Sequence, residues 1–361
     1  MKIEKIDSNF VLPEIKELED IEWFDVLDEP FAIYGVEFDY DAGEFRRIPL
    51  KDCEGMRAQI TELAANTAGG RVRFVTDSPY IALSCVTENN GMTNRFTVAG
   101  TYGFSVHSDG VFKGLLAPKW KLLAGEEGEA FQFKDFRRIT EEGDHEILLF
   151  MPLYGKVRSL HIGLRKGSVL KPAKEYKYKK PVVFYGSSIT QGGCASRSGN
   201  DYIGQLSRML DTDVLNLGFS GNAKGEQSMA NYLASLSPSV YVIDYDHNAP
   251  TVEHLRNTHY RLYETIRAAH PNTPIILMTR PDFESGEDSV GLRGVVLDTY
   301  KRAINQNDQN VAFVDGEMMF GKNDRELCTV DTRHPNDLGF YRMAHAVHPV
   351  LAEYLRNSFY R

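Results

Sequence analysis

Hydrophobic positions follow different patterns in the two halves of the chain. Between about residues 31 and 170 the apolar runs are short, and several of them alternate with polar residues. Examples are Arg71–Val75, Tyr80–Val86, Arg95–Val98 and Glu146–Met151, with Gly, Asp and Asn between such runs. Short alternating runs bounded by turn residues are typical of antiparallel strands. We therefore predict an all-β sandwich or jelly roll for residues 1–170.

The second half has longer, nearly continuous apolar runs. They are Pro181–Tyr185, Val214–Leu217, Val240–Asp244, Pro274–Met278 and Val311–Asp315. Runs of this kind suit parallel strands that are buried on both faces. Helical patterns lie between and after them, at Tyr202–Leu210, Val252–Ala269, Val290–Ile304 and Phe340–Leu355. Alternating strands and helices predict an α/β domain with a doubly wound parallel sheet over residues 181–361.

A basic segment separates the two patterns. Residues 171–180 are rich in lysine and have few apolar side chains other than tyrosine, so we interpret them as an interdomain linker. A chain of 361 residues is also longer than one hydrophobic core usually organises. Both observations favour two domains.

Charge and cysteine content narrow the function classes. The net charge of −9 argues against a nucleic-acid partner, whose phosphates would be repelled. No apolar stretch is long enough to cross a bilayer, and the first residues do not resemble a signal peptide. The four cysteines fit neither a disulfide framework nor a zinc site. We expect a cytoplasmic protein without a membrane partner, and a homo-oligomer stays open.

Polar residues follow the first two predicted parallel strands, at the edge where ligands bind in such sheets. Tyr185–Gly193 places serines and glycines at a strand-to-helix turn. A hydroxyl there would lie beside free N–H groups of the next helix, which favour a developing oxyanion. Asn216–Asn222 contains Gly218 and Gly221, which permit close backbone approach. Taken alone, each segment is better explained as an ordinary turn with a helix cap.

The third predicted strand ends in the polar cluster Asp244–Pro250, which has two interpretations. Asp244, Asp246 and His247 suggest a metal site, but no second group of ligands stands at a suitable spacing. The side-chain amide of Asn248 is instead a candidate hydrogen-bond donor to an oxyanion. We prefer the amide donor and expect neither a metal nor a cofactor.

Asp331 and His334 stand three positions apart just before the last predicted helix. A carboxylate at this spacing can accept the imidazole N–H, fix its tautomer and stabilise the imidazolium. With a serine, a glycine and Asn248 at the same sheet edge, the pair completes a nucleophile, two oxyanion donors, a base and an orienting acid. This conjunction predicts a serine hydrolase.

These segments resemble the sequence blocks of the SGNH hydrolases, also called GDSL esterases. The first block reads Gly186-Ser187-Ser188-Ile189-Thr190, and the resemblance implies that Ser188, not Ser187, is the nucleophile. An aspartate that is usual in this block is replaced by Ser187. The third block, usually Gly-x-Asn-Asp, reads Asp246-His247-Asn248-Ala249 and keeps only the asparagine.

The resemblance also assigns the other roles. It implies that Asp331 and His334 complete a triad with Ser188, and that the oxyanion hole consists of Ser188, Gly221 and Asn248. It implies a flavodoxin-like sheet over roughly residues 181–355. One branch of the family carries an N-terminal β domain with a Gly-x-Asp-Leu-Tyr-like segment, to which Gly103–His107 is the nearest match.

Related enzymes with an attached jelly roll often remove acetyl groups from carbohydrates. By analogy we expect an esterase for short acyl chains, with a small-molecule or oligosaccharide ester as substrate. The alternatives are a lipase or thioesterase for longer acyl chains, and a catalytically inert glycan-binding protein. Several aromatic residues of the β domain are candidates for sugar stacking or, for most of them, sandwich core: Phe104, Trp120, Phe131, Phe133 and Phe136. Two further residues near the blocks are Cys194, interpreted as a buried thiol, and Glu226, a candidate substrate contact.

Overall fold

The computed structural model describes residues 15, 17–18, 20–90, 94–281 and 288–359, so the start of the predicted β domain lies outside the described residues. The N-terminal part contains two short helices, α1 (Ala58–Leu63) and α2 (Val98–Tyr102). Its strands are β1 (Ile21–Asp25), β2 (Ala32–Tyr34), β3 (Glu37–Asp39), β4 (Glu44–Arg46), β5 (Arg71–Thr76), β6 (Tyr80–Glu88), β7 (Phe104–Ser108), β8 (Val111–Leu116), β9 (Ala130–Arg138), β10 (His145–Phe150), β11 (Val157–Arg165) and β12 (Leu170–Lys171).

These strands form two antiparallel sheets that enclose a common core. One sheet has the order β1-β11-β6-β9, and the other has the order β12-β5-β10-β7-β8 with β2 beside β5. Side chains from both sheets meet in one buried apolar cluster, with Leu83 and Ile162 from the first and Phe74 and Val106 from the second. The predicted all-β sandwich is therefore confirmed.

One predicted strand of this part is wrong. Residues Arg95 and Phe96 form a bend, and Thr97 then caps helix α2 by accepting a hydrogen bond from the Gly100 N–H at 2.8 Å. A threonine side chain that satisfies a free N–H at a helix start competes with strand pairing. The bend carries residues 95–97 toward the second half of the chain.

The C-terminal part is a parallel sheet with helices on both faces. Its strands are β13 (Tyr178–Gly186), β14 (Thr212–Gly218), β15 (Val240–Asp244), β16 (Ile275–Met278) and β17 (Val311–Val314). Its helices are α3 (Ser188–Gln191), α4 (Tyr202–Leu210), α5 (Gln227–Ser235), α6 (Val252–Ala269), α7 (Ser289–Asn305), α8 (Gly316–Met319) and α9 (Asp337–Phe359). The strand order β14-β13-β15-β16-β17 confirms the flavodoxin-like doubly wound sheet.

The helices cover the sheet with the apolar faces that the sequence indicates. In α6, Leu255, Leu262 and Ile266 are buried, whereas Ala269 at the end of the helix is exposed. Thr251 caps α6 by accepting a hydrogen bond from the His254 N–H at 3.0 Å. Among the described residues, no helix is long and apolar enough to cross a membrane.

A buried arginine joins the N-terminal part to the edge strand β14. Arg47 is 2% exposed and donates from Nε to the Asn66 carbonyl at 2.8 Å and from Nη2 to the Leu63 carbonyl at 2.6 Å. Its Nη1 donates to the carbonyls of Asn216 at 2.9 Å and Gly218 at 2.6 Å. Burial lowers the pKa of Arg47 to about 9, so the side chain remains charged at neutral pH. One cation thus satisfies four backbone acceptors from both parts.

Replacing Arg47 should destabilise the protein. Arg47→Met keeps most of the apolar length but leaves buried carbonyl oxygens without donors, at a cost of about 2–5 kcal/mol. Urea unfolding at pH 7 measures this loss. Arg256→Met on the exposed side of α6 is the matched control, and it should change stability by less than about 0.5 kcal/mol. Equal stability of the Arg47 and Arg256 variants would contradict the role assigned to Arg47.

Candidate active site

The turn between β13 and α3 holds two serines in different environments. Ser187 is 1% exposed, and its Oγ accepts a hydrogen bond from the Ile189 N–H at 3.2 Å. Ser188 is the first residue of α3 and is 7% exposed. A Cβ on Gly186 would lie 2.2 Å from the carbonyl oxygen of Asp244, so only glycine fits where this turn packs against β15. Of the two hydroxyls, that of Ser187 therefore caps the helix, and Ser188 is the more exposed residue.

Ser188, His334 and Asp331 form a continuous chain of contacts. The Ser188 Oγ lies 2.9 Å from His334 Nε2, and His334 Nδ1 lies 2.9 Å from Asp331 Oδ2. The other carboxylate oxygen, Asp331 Oδ1, accepts the backbone N–H groups of His334 at 2.8 Å and Arg333 at 3.2 Å. These two bonds hold the carboxylate while its second oxygen faces the imidazole. The arrangement can transfer a proton from the hydroxyl to the ring.

The charge of Asp331 is maintained by its hydrogen bonds. Partial burial by itself would raise the pKa of Asp331, but the backbone and side-chain hydrogen bonds from His334 outweigh that effect and lower the pKa to about 2. The Nη1 of Arg95, in the bend before α2, lies 3.1 Å from Asp331 Oδ2. The carboxylate is therefore ionised throughout the neutral range, and it faces both an imidazole and a guanidinium group.

Hydrogen-bond donors lie on the loops after β14 and β15. Gly221 has a φ of +69°, a left-handed conformation that favours glycine. The Asn248 Oδ1 accepts the Ala223 N–H at 3.2 Å, which fixes the orientation of the Asn248 amide. With its oxygen held in this way, the Asn248 amide nitrogen is a candidate donor to a ligand, as is the backbone N–H of Gly221.

The N-terminal part supplies a wall beside Ser188. The Phe96 ring lies 4.4 Å from the Tyr154 ring and edge-on to His334 at 6.3 Å. A Cβ placed on Gly193 would lie 2.9 Å from the Tyr154 hydroxyl and 3.1 Å from the Ser188 carbonyl oxygen. Aromatic side chains far from the serine in sequence therefore border Gly193 and the His334 ring.

Two cavities differ in their relation to this site. A cavity of about 200 Å³ adjoins the wall and is lined by Phe96, Tyr154, Asn66, Asn90 and Lys156 among others. A larger cavity of about 910 Å³ lies at the amino ends of the parallel strands, where Pro274 and Asn310 contribute to its lining. The smaller cavity meets the candidate site only at the Phe96–Tyr154 wall, and neither the serine, the histidine nor the candidate donors line it.

Two family models match the chain over consecutive ranges. Residues 21–170 match the N-terminus of SGNH-hydrolase-type esterases, a family called GxDLY. Residues 179–352 match the GDSL-like lipase/acylhydrolase family. The chain belongs to the SGNH/GDSL hydrolase family.

Solved structures resemble this SGNH hydrolase over nearly its full length. A structure named as a GDSL-like lipase from Bacteroides ovatus ATCC 8483 has 27% identity and a TM-score of 0.81, covering 93% of this chain and 98% of its own. The salicylyl-acyltransferase SsfX3 from a tetracycline biosynthetic pathway has 19% identity and a TM-score of 0.73, covering 93% of this chain and 98% of its own. The acetyl xylan esterase Est2A from the rumen bacterium Butyrivibrio proteoclasticus has 14% identity and a TM-score of 0.58, covering 94% of this chain and 99% of its own. Comparison with curated proteins gives no match. The family and the likeness together make this chain a carboxylic ester hydrolase.

The carboxylates that suggested a metal site are hydrogen-bonded in this SGNH hydrolase. Asp244 Oδ2 accepts from the Thr190 hydroxyl and from the Tyr202 hydroxyl, each at 3.0 Å. Asp246 Oδ2 accepts the Arg280 N–H at 3.1 Å. The described residues contain no group of three or more His, Cys, Asp or Glu side chains that could hold a metal ion. The carboxylates instead connect the strand ends to one another.

The structure also shows the environments of the remaining candidate residues. Burial raises the pKa of Cys194 to about 12, which disfavours a thiolate nucleophile. Glu226 pairs with Arg57 at 2.5 Å, and Gly103–His107 falls mostly within strand β7. Of the candidate aromatic residues, Phe104 and Phe133 are core, whereas Trp120 is 70% exposed. No pattern in the sequence points to Arg57, Arg95, Phe96 or Tyr154.

Asp244 makes the stability of this SGNH hydrolase depend on pH. Burial, together with the nearby Asp246 carboxylate, raises the pKa of Asp244 from its ordinary 3.8 to about 7. The unfolded chain ionises first, so the carboxyl disfavours the folded state increasingly as the pH rises from about 4 to about 7. Below about pH 4 the Asp244 carboxyl is protonated in both the folded and the unfolded chain, so it does not lower the free energy of unfolding.

Asp244→Asn should therefore raise the free energy of unfolding relative to wild type, and the gain should grow between about pH 4 and pH 7. Each unit of pKa shift corresponds to about 1.4 kcal/mol, and asparagine still offers an oxygen to Thr190 and Tyr202. Urea unfolding at several pH values measures the difference. Asp298→Asn on the exposed face of α7 is the control. If the difference in free energy of unfolding between variant and wild type stayed constant from about pH 4 to pH 7, Asp244 would not be protonated in the folded protein.

Proposed function

We propose that this SGNH hydrolase cleaves short-chain acyl esters, with acetyl esters of carbohydrates as its substrate class, through an acyl-enzyme on Ser188. The chain of contacts from Ser188 through His334 to Asp331, with 2.9 Å at each step, carries the proposal. This geometry suits a hydroxyl nucleophile, a general base and an orienting carboxylate.

In the proposed reaction, His334 Nε2 takes the hydroxyl proton while Ser188 Oγ attacks the ester carbonyl. The Asp331 carboxylate stabilises the imidazolium that results. The N–H groups of Ser188 and Gly221 and the Asn248 amide donate to the carbonyl oxygen as it becomes negative. The C–O bond to the alcohol then breaks, and the imidazolium protonates the leaving alcohol. A water molecule, deprotonated by His334, releases the acid and restores the serine.

The substrate class rests on the surroundings of the serine. The cavity beside the Phe96–Tyr154 wall includes amide and charged side chains in its lining, which can hydrogen-bond to the hydroxyl groups of a sugar. The acetyl xylan esterase named above shares the fold. A lipase or thioesterase for longer acyl chains is the second candidate, since the structure with 27% identity is named as a lipase.

We also propose a reducing, cytoplasmic location. Cys53, Cys85, Cys194 and Cys328 lie in the described part of the chain as buried, unpaired thiols. Proteins that function in oxidising compartments more often pair such residues in disulfides.

Replacing each of the two adjacent serines by alanine tests which of them is the nucleophile. Ser188→Ala should lower kcat for p-nitrophenyl acetate by roughly 10⁴-fold or more, because no other group replaces the hydroxyl. Ser187→Ala is the matched control: it removes a helix cap worth about 1 kcal/mol and should leave most activity. Circular dichroism verifies that both variants fold. An active Ser188 variant beside an inactive Ser187 variant would shift the assignment by one residue.

Acyl-chain length tests the substrate class. We expect kcat/KM to fall from acetyl to butyryl to octanoyl p-nitrophenyl esters, after subtraction of the rate of the Ser188→Ala variant. An apolar acyl groove would give the opposite trend, since each buried methylene contributes about 0.8 kcal/mol. A rise along the series therefore supports the lipase or thioesterase. Rates near zero for all esters and for acetylated oligosaccharides support the inert glycan-binding alternative.

A further inference from the structure

The loop from Gly221 to Glu226 carries one of the proposed oxyanion donors but belongs to no helix or strand. At its start, Asn222 donates its backbone N–H to the Phe219 carbonyl at 2.8 Å. In its middle, the Ala223 N–H binds the Asn248 side chain at 3.2 Å. Side chains from elsewhere hold its second half: the Tyr185 hydroxyl accepts the Gly225 N–H at 2.9 Å, and His254 Nε2 lies 2.8 Å from the Lys224 carbonyl. The residues next to Gly221 need contacts of their own to keep its backbone N–H in place.

Arg57 supplies such contacts from the N-terminal part. It immediately precedes helix α1, and its side chain reaches 165 residues along the chain to Asn222. Its Nη2 donates to the Asn222 carbonyl at 2.6 Å, and its Nη1 donates to the Asn222 Oδ1 at 3.0 Å. Its Nε donates to the Glu226 Oε1 at 2.5 Å. The planar guanidinium thus binds both ends of the loop, a geometry that a lysine cannot reproduce.

We propose that Arg57 is a positioning residue, which holds the Gly221 N–H where it can donate to the oxyanion. The inference rests on the proposed function, since it deepens the role of the same site. The Asn222 carbonyl that Arg57 binds is one residue beyond the donor, so a shift at Asn222 moves the Gly221 N–H as well. The N-terminal part therefore contributes to transition-state stabilisation as well as to the wall beside Ser188.

A purely structural role predicts a different outcome. Arg57 and Glu226 are 32% and 26% exposed, and ion pairs near the surface contribute only about 0–1 kcal/mol to stability. The oxyanion donors act mainly when charge develops on the carbonyl oxygen, so displacement of the loop should lower kcat rather than raise KM. Loss of folding would instead lower the amount of active enzyme and the thermal midpoint.

The experiment compares Arg57→Ala, Arg57→Lys and Glu226→Gln with the control Arg256→Ala on α6, using p-nitrophenyl acetate. We expect Arg57→Ala to lower kcat by roughly 10- to 100-fold with KM within about twofold, since a misplacement near 1 Å has effects of this size. Arg57→Lys and Glu226→Gln should give smaller losses in kcat. Added guanidinium should restore part of the kcat of Arg57→Ala and leave wild type unchanged.

A readout without substrate separates this inference from the proposed function. Hydrogen exchange of the Gly221–Glu226 amides should accelerate in Arg57→Ala and stay unchanged in Arg256→Ala. Unchanged exchange in Arg57→Ala, or a raised KM with unchanged kcat, would overturn the positioning role. Should wild type hydrolyse no ester, or Ser188→Ala retain full activity, the proposed function fails. The exchange rates then still decide whether Arg57 holds the loop.

Discussion

Parallel strands bring their carboxyl ends to one edge of a sheet, and the candidate site depends on how closely the turns pack at that edge. A Cβ on Gly218 at the end of β14 would lie 2.1 Å from the Gln191 backbone nitrogen, and one on Gly186 would strike the carbonyl of Asp244. Glycine at both positions lets α3 settle between β14 and β15. The serine, the Gly221 loop and the Asn248 turn are neighbours for that reason.

The N-terminal part is joined to this edge by arginines that bind groups far away in sequence. Arg47 binds the backbone of β14, Arg57 binds the loop from Gly221 to Glu226, and Arg95 faces the Asp331 carboxylate. Planar guanidinium groups suit this task because one side chain can satisfy several carbonyl or carboxylate oxygens at once. The β-rich part therefore supports loops at the carboxyl edge of the parallel sheet.

Local patterns predicted the elements and the parts of the site that depend on neighbouring residues. Helix α4 begins and ends where its apolar periodicity indicates, and the spacing of Asp331 and His334 is sufficient to bring carboxylate and ring together. The predicted strand at Arg95–Val98 was wrong because Thr97 caps helix α2, which begins at Val98. Arg57 and Phe96 could not be predicted from single-sequence patterns, since their partners stand more than fifty residues away and only the tertiary fold brings them together.

Two carboxyl groups near the serine show how surroundings separate residues of one type into different roles. Asp331 receives backbone and imidazole N–H groups, which hold its pKa near 2, so it is ionised and can stabilise an imidazolium. Asp244 is enclosed beneath the turn between β13 and α3, and burial raises its pKa to about 7. Its backbone carbonyl accepts the Ser187 N–H at 3.2 Å while its side chain binds Thr190, so it fixes the turn from below. The same residue type therefore fixes the turn through its hydrogen bonds at one position and is the charged partner of the imidazole at the other.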